Sequence, residues 1–439
     1  MNMKANAGWF VALTVAAATI LVSTAAPALE AGVGVADITP DVTAFKVPLA
    51  GYGARLGAPA KGVHDPLHAK VLYLRDAETH MALITCDLRS CTPEFKGQIV
   101  QKCAEFGLTP DNTLVACSHT HDGPAMYAEK FWQMQFGKYD PKIVDIISSA
   151  VAKAVGDAVK NAAPAKLGFA EGMAEGFTHN RRWGYDAEKR KEANEQPVVN
   201  PRVWILRVDA MDGQCRAVLV NFASHPTILD SDNLLVSAEW PGVAQRELEN
   251  AFPGATAFFT NGAEGDQSPS GANGADNFAR MEDYGARFAK IVESIASKAV
   301  VQASTPISFS RTTPELPPLT FPEGGKRKFG AFKEAAEKDL PRKAEIQVFR
   351  LGPVALIGFP GEPILETGHA VEQAVAATGA ARGIEKAIVL GLSNDYIGYL
   401  VNEKEYAHGG YEVDSRSYYG PGLCRFLAEQ AAQTVKALK

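Results

Sequence analysis

The chain has 439 residues, of which 46% are hydrophobic and 21% are charged, and its formal net charge is −6. This composition is ordinary for a globular protein with a large core. The sequence contains no basic stripe and no cluster of lysine and arginine, which argues against a nucleic-acid partner.

Residues 1–28 have the three regions of a secretory signal peptide. Lys4 supplies an early positive charge, residues 9–22 form an uncharged apolar stretch, and residues 26–28 (Ala-Pro-Ala) match a cleavage site. The apolar stretch is short for a membrane span, although a retained anchor is the alternative. We therefore predict an exported protein, periplasmic or secreted, with residues 29–439 as its mature domain. Its six cysteines are compatible with disulfides or with free buried thiols.

Short apolar runs alternate with longer amphipathic stretches along the mature chain. The predicted strands are 33–38, 69–74, 81–86, 113–117, 203–208, 217–222, 257–260, 345–351, 354–359 and 387–390. The predicted helices are 93–106, 143–161, 241–251, 281–299 and 361–377. A short polar link between the second and third strands predicts an antiparallel hairpin. We therefore expect an α/β layered fold, with a central mixed β-sheet flanked by helices and a metal site at the strand ends.

The strand predicted at 113–117 is followed by the run SHTHDGP, which contains His119 and His121. In an extended backbone these two side chains point the same way. In open α/β sheets, ligands bind at the carboxyl edge of the strands. Two adjacent imidazoles are suited to bind a metal together, or to act as one metal ligand and one proton carrier. The alternative is a pair of hydrogen-bonded structural histidines.

Two further predicted strands also end in residues that can bind a metal. The strand 217–222 leads to His225, and the strand 354–359 leads through a Pro-Gly turn to Glu362. The proline after Glu362 suits a first helical turn, so a carboxylate stabilised at a helix start is the alternative role. Together with His119, these residues form a His₂Glu set, which is familiar from catalytic zinc sites.

Three other groups have open interpretations. Tyr396 and Tyr399 share a loop rich in Gly, Asn and Ser, and the sequence alone does not separate a ligand from a packing residue. Ser268 is a conceivable nucleophile, although its surroundings do not match the G-x-S-x-G elbow. Arg181 and Arg182 precede a tryptophan and would either orient a polar substrate group or form surface salt bridges.

Taken in order, these runs resemble the neutral ceramidase family. Six or more short motifs in one order are specific for a family, even though each is weak alone. The motifs that carry the resemblance are GVG and DITP within residues 32–40, GYG at 51–53, GVH at 62–64, HTH at 119–121, NR at 180–181, His225, the run 261–269, PGE at 360–362, the run 391–399, and the pairs 405–406 and 411–412.

The resemblance implies a metal site and a set of catalytic residues. His121 matches a histidine that contacts the substrate or the water, and Arg181 and Tyr411 match residues that hold or polarise the scissile amide. Tyr399 and Tyr411 lie twelve residues apart, as the family pattern requires, and this spacing selects Tyr399 over Tyr396. The implied Zn²⁺ ligands are His119, His225, Glu362 and Tyr399.

The expected activity is zinc-dependent hydrolysis of the N-acyl bond of ceramide or a ceramide-like lipid. The expected partners are a small-molecule or lipid N-acyl substrate and, transiently, a membrane surface. We expect no C-terminal immunoglobulin-like domain within residues 29–439, although family enzymes usually carry one. The alternatives are a zinc amidase for a non-lipid N-acyl compound and a non-catalytic exported binding protein. Aromatic and methionine residues at 126–139 predict either a packing helix or an apolar lip that receives an acyl tail.

Overall fold

A computed structural model describes residues 29–126, 133–138, 140–303, 305–322 and 332–438. Its strands are β1 (Glu30–Asp37), β2 (Gly62–Val63), β3 (His68–Arg75), β4 (His80–Cys86), β5 (Thr113–Cys117), β6 (Ala163–Met173), β7 (Thr178–Asn180), β8 (Arg202–Ala210), β9 (Cys215–Phe222), β10 (Leu235–Val236), β11 (Thr256–Asn261), β12 (Gln267–Pro269), β13 (Val300–Gln302), β14 (Ile307–Thr312), β15 (Ile346–Leu351), β16 (Val354–Gly358), β17 (Glu362–Pro363), β18 (Lys386–Leu390) and β19 (Tyr399–Leu400).

Helices connect these strands and cover them. They are α1 (Pro93–Lys102), α2 (Gln133–Phe136), α3 (Pro141–Lys160), α4 (Ala187–Glu192), α5 (Glu239–Ala251), α6 (Asn277–Ala296), α7 (Phe332–Asp339), α8 (Leu365–Gly379), α9 (Glu403–Ala407), α10 (Tyr411–Arg416) and α11 (Leu423–Lys436). Among the described residues, none of these helices is both long enough and apolar enough to cross a membrane.

The largest sheet is mixed, as the sequence predicted. Its strand order is β11-β9-β8-β6-β1-β3-β4-β5, with β13 added beside β6. The predicted hairpin is confirmed, because β3 and β4 pair antiparallel from Ala69 opposite Cys86 to Arg75 opposite His80. The pairs β4–β5 and β9–β11 are parallel. The sheet curls, because β11, at one end of the order, contacts β5 at the other.

A second sheet packs against the first. It has the order β14-β15-β16-β18, and an apolar layer from both sheets separates them, including Leu114, Leu206, Phe258, Phe349 and Leu356. Helix α3 covers β1 and β3, helices α5 and α6 cover β6, β8 and β11, and helices α8 and α11 cover the second sheet. Alternating strand residues and amphipathic helix faces thus bury apolar side chains on both sides of each sheet.

One predicted helix start is wrong. Residues Glu362 and Pro363 form the short strand β17, which pairs in parallel with Tyr399 and Leu400, and helix α8 begins only at Leu365. The carboxylate of Asp266 accepts a hydrogen bond from the Leu365 N–H and so serves the first turn from outside the helix. Glu362 is therefore not a helix-dipole acid.

The sequence also missed several elements. Strand β6 and strand β14 lack clean alternation, and the last helix, α11, was not predicted at all. The six cysteines are free and buried. The signal peptide prediction for residues 1–28 and most of the predicted lip, at 127–132 and 139, lie outside the described residues.

Candidate metal centre

His119 follows the end of β5, in a loop that is hydrogen-bonded to the residues that follow the neighbouring strand β4. Its N–H donates to the Leu88 carbonyl over 2.9 Å, and its Nδ1 donates to the Arg89 carbonyl over 2.7 Å. Its φ of +74° shows that the chain is not extended here, contrary to the expectation from the HxH spacing. Since a carbonyl only accepts, Nε2 of His119 keeps its lone pair for a metal.

His225 is held in the same manner after the end of β9. Both its N–H and its Nδ1 donate to the Gln267 carbonyl over 3.0 Å, and its own carbonyl accepts from the Trp240 indole over 3.1 Å. Its Nε2 is therefore also the free ring nitrogen. Burial, with the charge of Arg181, lowers the pKa of His225 to about 4 and keeps the imidazole neutral, which is the form that binds metals.

The curl of the large sheet explains why these two loops meet. The ends of β5 and β11 are joined by the Asn261 side chain, which donates to the Ser118 carbonyl over 2.9 Å. Because β9 lies next to β11, the residues that follow β9 approach the residues that follow β5. His119 and His225 consequently lie with their ring centroids 4.9 Å apart.

Glu362 supplies the third donor from β17. Its Oε2 lies 3.3 Å from Nε2 of His119 and 3.3 Å from Nε2 of His225, and all three residues are fully buried. These three donor atoms lie within 4.8 Å of one another, so they could hold a metal ion.

Tyr399 reaches the same centre because it is the β-bridge partner of Glu362. Its hydroxyl accepts a hydrogen bond from Arg181 Nη2 over 2.9 Å. Arg181 is in turn anchored by its Nε to Glu412 over 2.8 Å and by Nη2 to the Gly265 carbonyl over 2.8 Å. The guanidinium of Arg181 is thus held by Glu412 and Gly265 while it contacts the Tyr399 hydroxyl.

His121 lies on the more accessible side of the centre. Its Nε2 is 3.3 Å from Nε2 of His119, and its residue is 8% exposed while His119 and His225 are fully buried. The edge of its ring meets Tyr52 with centroids 4.7 Å apart. Gly51, with φ +88°, packs so closely that an added Cβ would lie 2.2 Å from the His121 ring. That close approach requires a glycine.

Tyr411 is the most exposed of the predicted site residues. It is 44% exposed, and its ring centroid lies 6.0 Å from that of Tyr399. The guanidinium carbon of Arg181 lies 5.8 Å from the Tyr411 ring. The structure therefore brings all seven predicted site residues into one neighbourhood, and their roles remain predictions.

The two remaining candidates, Ser268 and Arg182, lie in a strand pair and in a salt-bridge network, respectively. Ser268 belongs to β12 opposite His179, and the described residues give its hydroxyl no hydrogen bond to a histidine. The guanidinium of Arg182 pairs with Glu405 and Glu412, as the salt-bridge alternative expected, but it is buried and not at the surface.

Two contacts at the centre were not anticipated from the sequence. Arg89 Nη2 donates to Glu362 Oε1 over 3.1 Å, and the Tyr396 hydroxyl donates to the same oxygen over 2.6 Å. The only local signal was that Arg89 is a charged residue three positions after the end of an apolar strand. Of the two tyrosines in the loop, Tyr396 thus contacts Glu362 directly, whereas the hydroxyl of Tyr399 contacts Arg181.

Comparisons with known proteins agree with this architecture. The model of the neutral/alkaline non-lysosomal ceramidase family, N-terminal, matches residues 29–296 and 328–426. The chain is 23% identical to a neutral ceramidase of Mycobacterium tuberculosis, covering 94% of this chain and 77% of that protein. It is 22% identical to a neutral ceramidase of Pseudomonas aeruginosa, covering 89% and 69%.

Solved structures show the same fold. The crystal structure of neutral ceramidase from Pseudomonas aeruginosa superposes with a TM-score of 0.81 at 20% identity, over 94% of this chain and 74% of that chain. A structure described as a ceramidase complexed with C2 gives the same TM-score and identity, over 94% and 75%. With the family model matching most of its length, the chain belongs to the neutral/alkaline non-lysosomal ceramidase family.

Proposed function

We propose that this protein is an exported, zinc-dependent amide hydrolase that cleaves the N-acyl bond of ceramide or a ceramide-like lipid. The observation that carries the proposal is the buried triangle of His119, His225 and Glu362, whose three free donor atoms face one point. The substrate class rests on the curated relatives, which are named neutral ceramidases. Export rests on the signal-peptide pattern of residues 1–28.

The spacing of the donors suits zinc. Two ligands at roughly 2.0–2.1 Å from a tetrahedral zinc lie about 3.3 Å apart. Both distances from Glu362 Oε2 to the histidine nitrogens are 3.3 Å. Two neutral imidazoles with one carboxylate are also a donor set that zinc prefers, and the Tyr399 hydroxyl is the fourth candidate ligand.

Zinc, when bound, would polarise the amide carbonyl and make hydroxide available near neutral pH. His121 is placed beside the ligands without being needed as one, so it accepts the proton of the attacking water and passes it to the leaving amine. Tyr411, partly exposed next to Tyr399, donates a hydrogen bond from its hydroxyl to the developing oxyanion. Arg181 keeps Tyr399 in place through its hydrogen bond.

The test combines metal analysis with a substrate series. We expect about one zinc per chain, loss of activity with a chelator, and recovery with added zinc. The ratio kcat/KM across N-acyl chains of roughly two to sixteen carbons should rise with length, because each buried methylene contributes up to about 0.8 kcal/mol. A flat or falling series would instead favour an amidase for short, non-lipid N-acyl groups. A zinc-bound protein without hydrolysis of any N-acyl substrate would favour the binding protein.

A loop next to His121 supports the proposed membrane contact. Between residues 51 and 60 the single charged side chain, Arg55, is buried and donates to the His121 carbonyl over 2.5 Å. Leu56, which follows it, is 85% exposed in a left-handed conformation with φ +51°. An exposed leucine side chain on a strained backbone is unfavourable in water. We therefore propose that the Leu56 side chain contacts a lipid surface.

The variant Leu56→Asn tests this contact. Asparagine tolerates the left-handed conformation, so folding stability should be unchanged or slightly higher. Binding to phosphatidylcholine vesicles should fall about tenfold or more, since burial of a leucine side chain contributes about 1.5–3 kcal/mol. Activity on a soluble short-chain substrate should persist. The matched control is Val300→Asn, at an exposed valine in β13, which should leave vesicle binding unchanged. Equal vesicle binding by wild type and Leu56→Asn would refute the contact.

A further inference from the structure

Arg89 contacts two different metal-ligand candidates through two different parts of the residue. It lies three residues after the end of β4 and is 3% exposed. Its backbone carbonyl accepts from His119 Nδ1 over 2.7 Å. Its guanidinium Nη2 donates to Glu362 Oε1 over 3.1 Å and to the Tyr396 hydroxyl over 2.7 Å.

These contacts decide which oxygen of Glu362 faces the histidines. Oε1 accepts hydrogen bonds from Arg89 and from Tyr396, whose hydroxyl lies at 2.6 Å. The two oxygens of a carboxylate rotate together, so fixing Oε1 also fixes Oε2. It is Oε2 that lies 3.3 Å from each of the histidine Nε2 atoms.

The aromatic surroundings keep the guanidinium in this position. The guanidinium carbon of Arg89 lies 4.6 Å from the centre of the Tyr396 ring and 5.6 Å from that of Phe136. Stacking between two rings limits the rotation of a planar guanidinium, which a lysine ammonium would not share. The same Phe136 ring has a second guanidinium carbon, that of Arg416, at 5.2 Å from its centre.

We propose that Arg89 is the positioning residue of the metal centre, which orients Glu362 for monodentate binding and thereby sets the affinity for zinc. The inference deepens the proposed function and rests on the assignment of His119, His225 and Glu362 as ligands. Residues that hydrogen-bond a metal ligand from outside typically alter metal affinity by about 10- to 100-fold when they are replaced. Because the carbonyl of residue 89 remains in any variant, a side-chain substitution isolates the Glu362 contact from the His119 contact.

The test measures zinc dissociation constants by competition with a chelating dye. We expect zinc binding to weaken by about 10- to 100-fold in Arg89→Gln, and by less in Arg89→Lys, which can restore one donor but not the planar geometry. Tyr396→Phe removes the other donor to Oε1 and should also weaken zinc binding, by up to about tenfold. Substitution with Co²⁺ adds a second readout, because the visible absorption bands of Arg89→Gln should shift if the carboxylate changes its binding mode.

The matched control is Arg416→Gln, which removes a buried guanidinium from the same Phe136 ring. Among the described residues, Arg416 has no hydrogen bond to Glu362, so its zinc affinity should stay within about threefold of wild type. Unchanged zinc affinity and cobalt spectrum in folded Arg89→Gln would overturn the inference. If Arg89→Gln does not fold, Arg89→Lys and Tyr396→Phe decide in the same way. If His225→Ala also keeps zinc, the proposed metal site itself is wrong.

Discussion

Two regions of the described chain each bring three histidine or carboxylate side chains within 4.8 Å of one another. The first is the triangle of His119, His225 and Glu362, and the second is an acidic cluster of Glu195, Glu405 and His408. Donor distance alone does not distinguish them. The surrounding charges do.

In the acidic cluster the carboxylates are already neutralised by cations. Arg190 donates to both oxygens of Glu405, over 2.8 and 2.6 Å, and Arg182 adds a third hydrogen bond over 3.0 Å. Glu195 pairs with Arg190 over 3.0 Å and with Lys404 over 3.2 Å. A metal ion would have to displace these cations. The cluster is therefore an ion-pair network that ties β7 and the residues after it to helix α9.

In the candidate metal triangle of His119, His225 and Glu362, by contrast, none of the described residues places a cation between the carboxylate oxygen and the two imidazole nitrogens. Within the described part of the chain, the guanidinium that contacts Glu362 is that of Arg89, and it does so through the opposite oxygen, Oε1. The comparison teaches that a metal site needs donor atoms whose hydrogen-bonding partners lie behind them, on the side away from the ion. The following predictions test this difference, from the largest expected effect to the smallest.

The largest effect separates the two regions directly. His225→Ala should abolish both zinc binding and hydrolysis, because it removes one of three buried donors. His408→Ala should leave zinc content and kcat unchanged. Metal analysis of the purified variants, with circular dichroism to verify folding, checks both. Loss of zinc in His408→Ala would mean that the acidic cluster also binds it.

A smaller effect is expected inside the metal centre. His121→Ala should lower kcat by roughly 10²–10⁴ while zinc content stays normal, because a proton carrier contributes to rate and not to metal affinity. Steady-state kinetics and metal analysis of the same sample provide the test. A parallel loss of zinc would show that His121 is a ligand after all.

The acidic cluster should contribute to the free energy of unfolding in a way that depends on pH. Burial alone would raise the pKa of Glu405, but hydrogen bonds and charge from Arg190 and Arg182 outweigh burial and lower the pKa to about 2. A depressed acid pKa stabilises the fold above the ordinary value near 4.5, and that stability is lost as pH falls towards 2.

Glu405→Gln should therefore lower the free energy of unfolding at pH 7 by about 2–4 kcal/mol, because two buried guanidiniums lose a partner. The difference from wild type should shrink as pH falls from about 4.5 towards 2. Urea unfolding at several pH values measures both. A difference that stays constant with pH would exclude the charge of Glu405 as the cause, and zinc content should not change at any pH where the protein is folded.

The smallest effect concerns the rim of the acidic cluster. Glu195→Gln should lower the free energy of unfolding by less than about 1 kcal/mol, because its partner Arg190 keeps both hydrogen bonds to Glu405 and its other partner, Lys404, is half exposed and screened by water. The loss should diminish further at high salt. A loss as large as that of Glu405→Gln would show that Glu195 and Glu405 contribute equally to the free energy of unfolding.

The sequence by itself determined the local part of this structure. Short apolar runs placed β3, β4, β5, β9 and β16 within a few residues of their observed bounds, and breakers after them marked the loops that carry His119, His225 and Glu362. Such features are local, since side-chain period and turn chemistry depend on neighbouring residues. The resemblance then supplied Tyr399, Arg181 and Tyr411, which local pattern did not separate from ordinary loop residues.

Only the tertiary structure decided how those loops meet. The curl of the large sheet brings the end of β5 to the end of β9, and the bridge between β17 and β19 sets Glu362 beside Tyr399 instead of at a helix start. The contact of Arg89 with Glu362 also stayed hidden, because the two residues lie 273 positions apart in the chain. Contacts across such separations depend on the packing of whole sheets and helices, which no short stretch of sequence specifies.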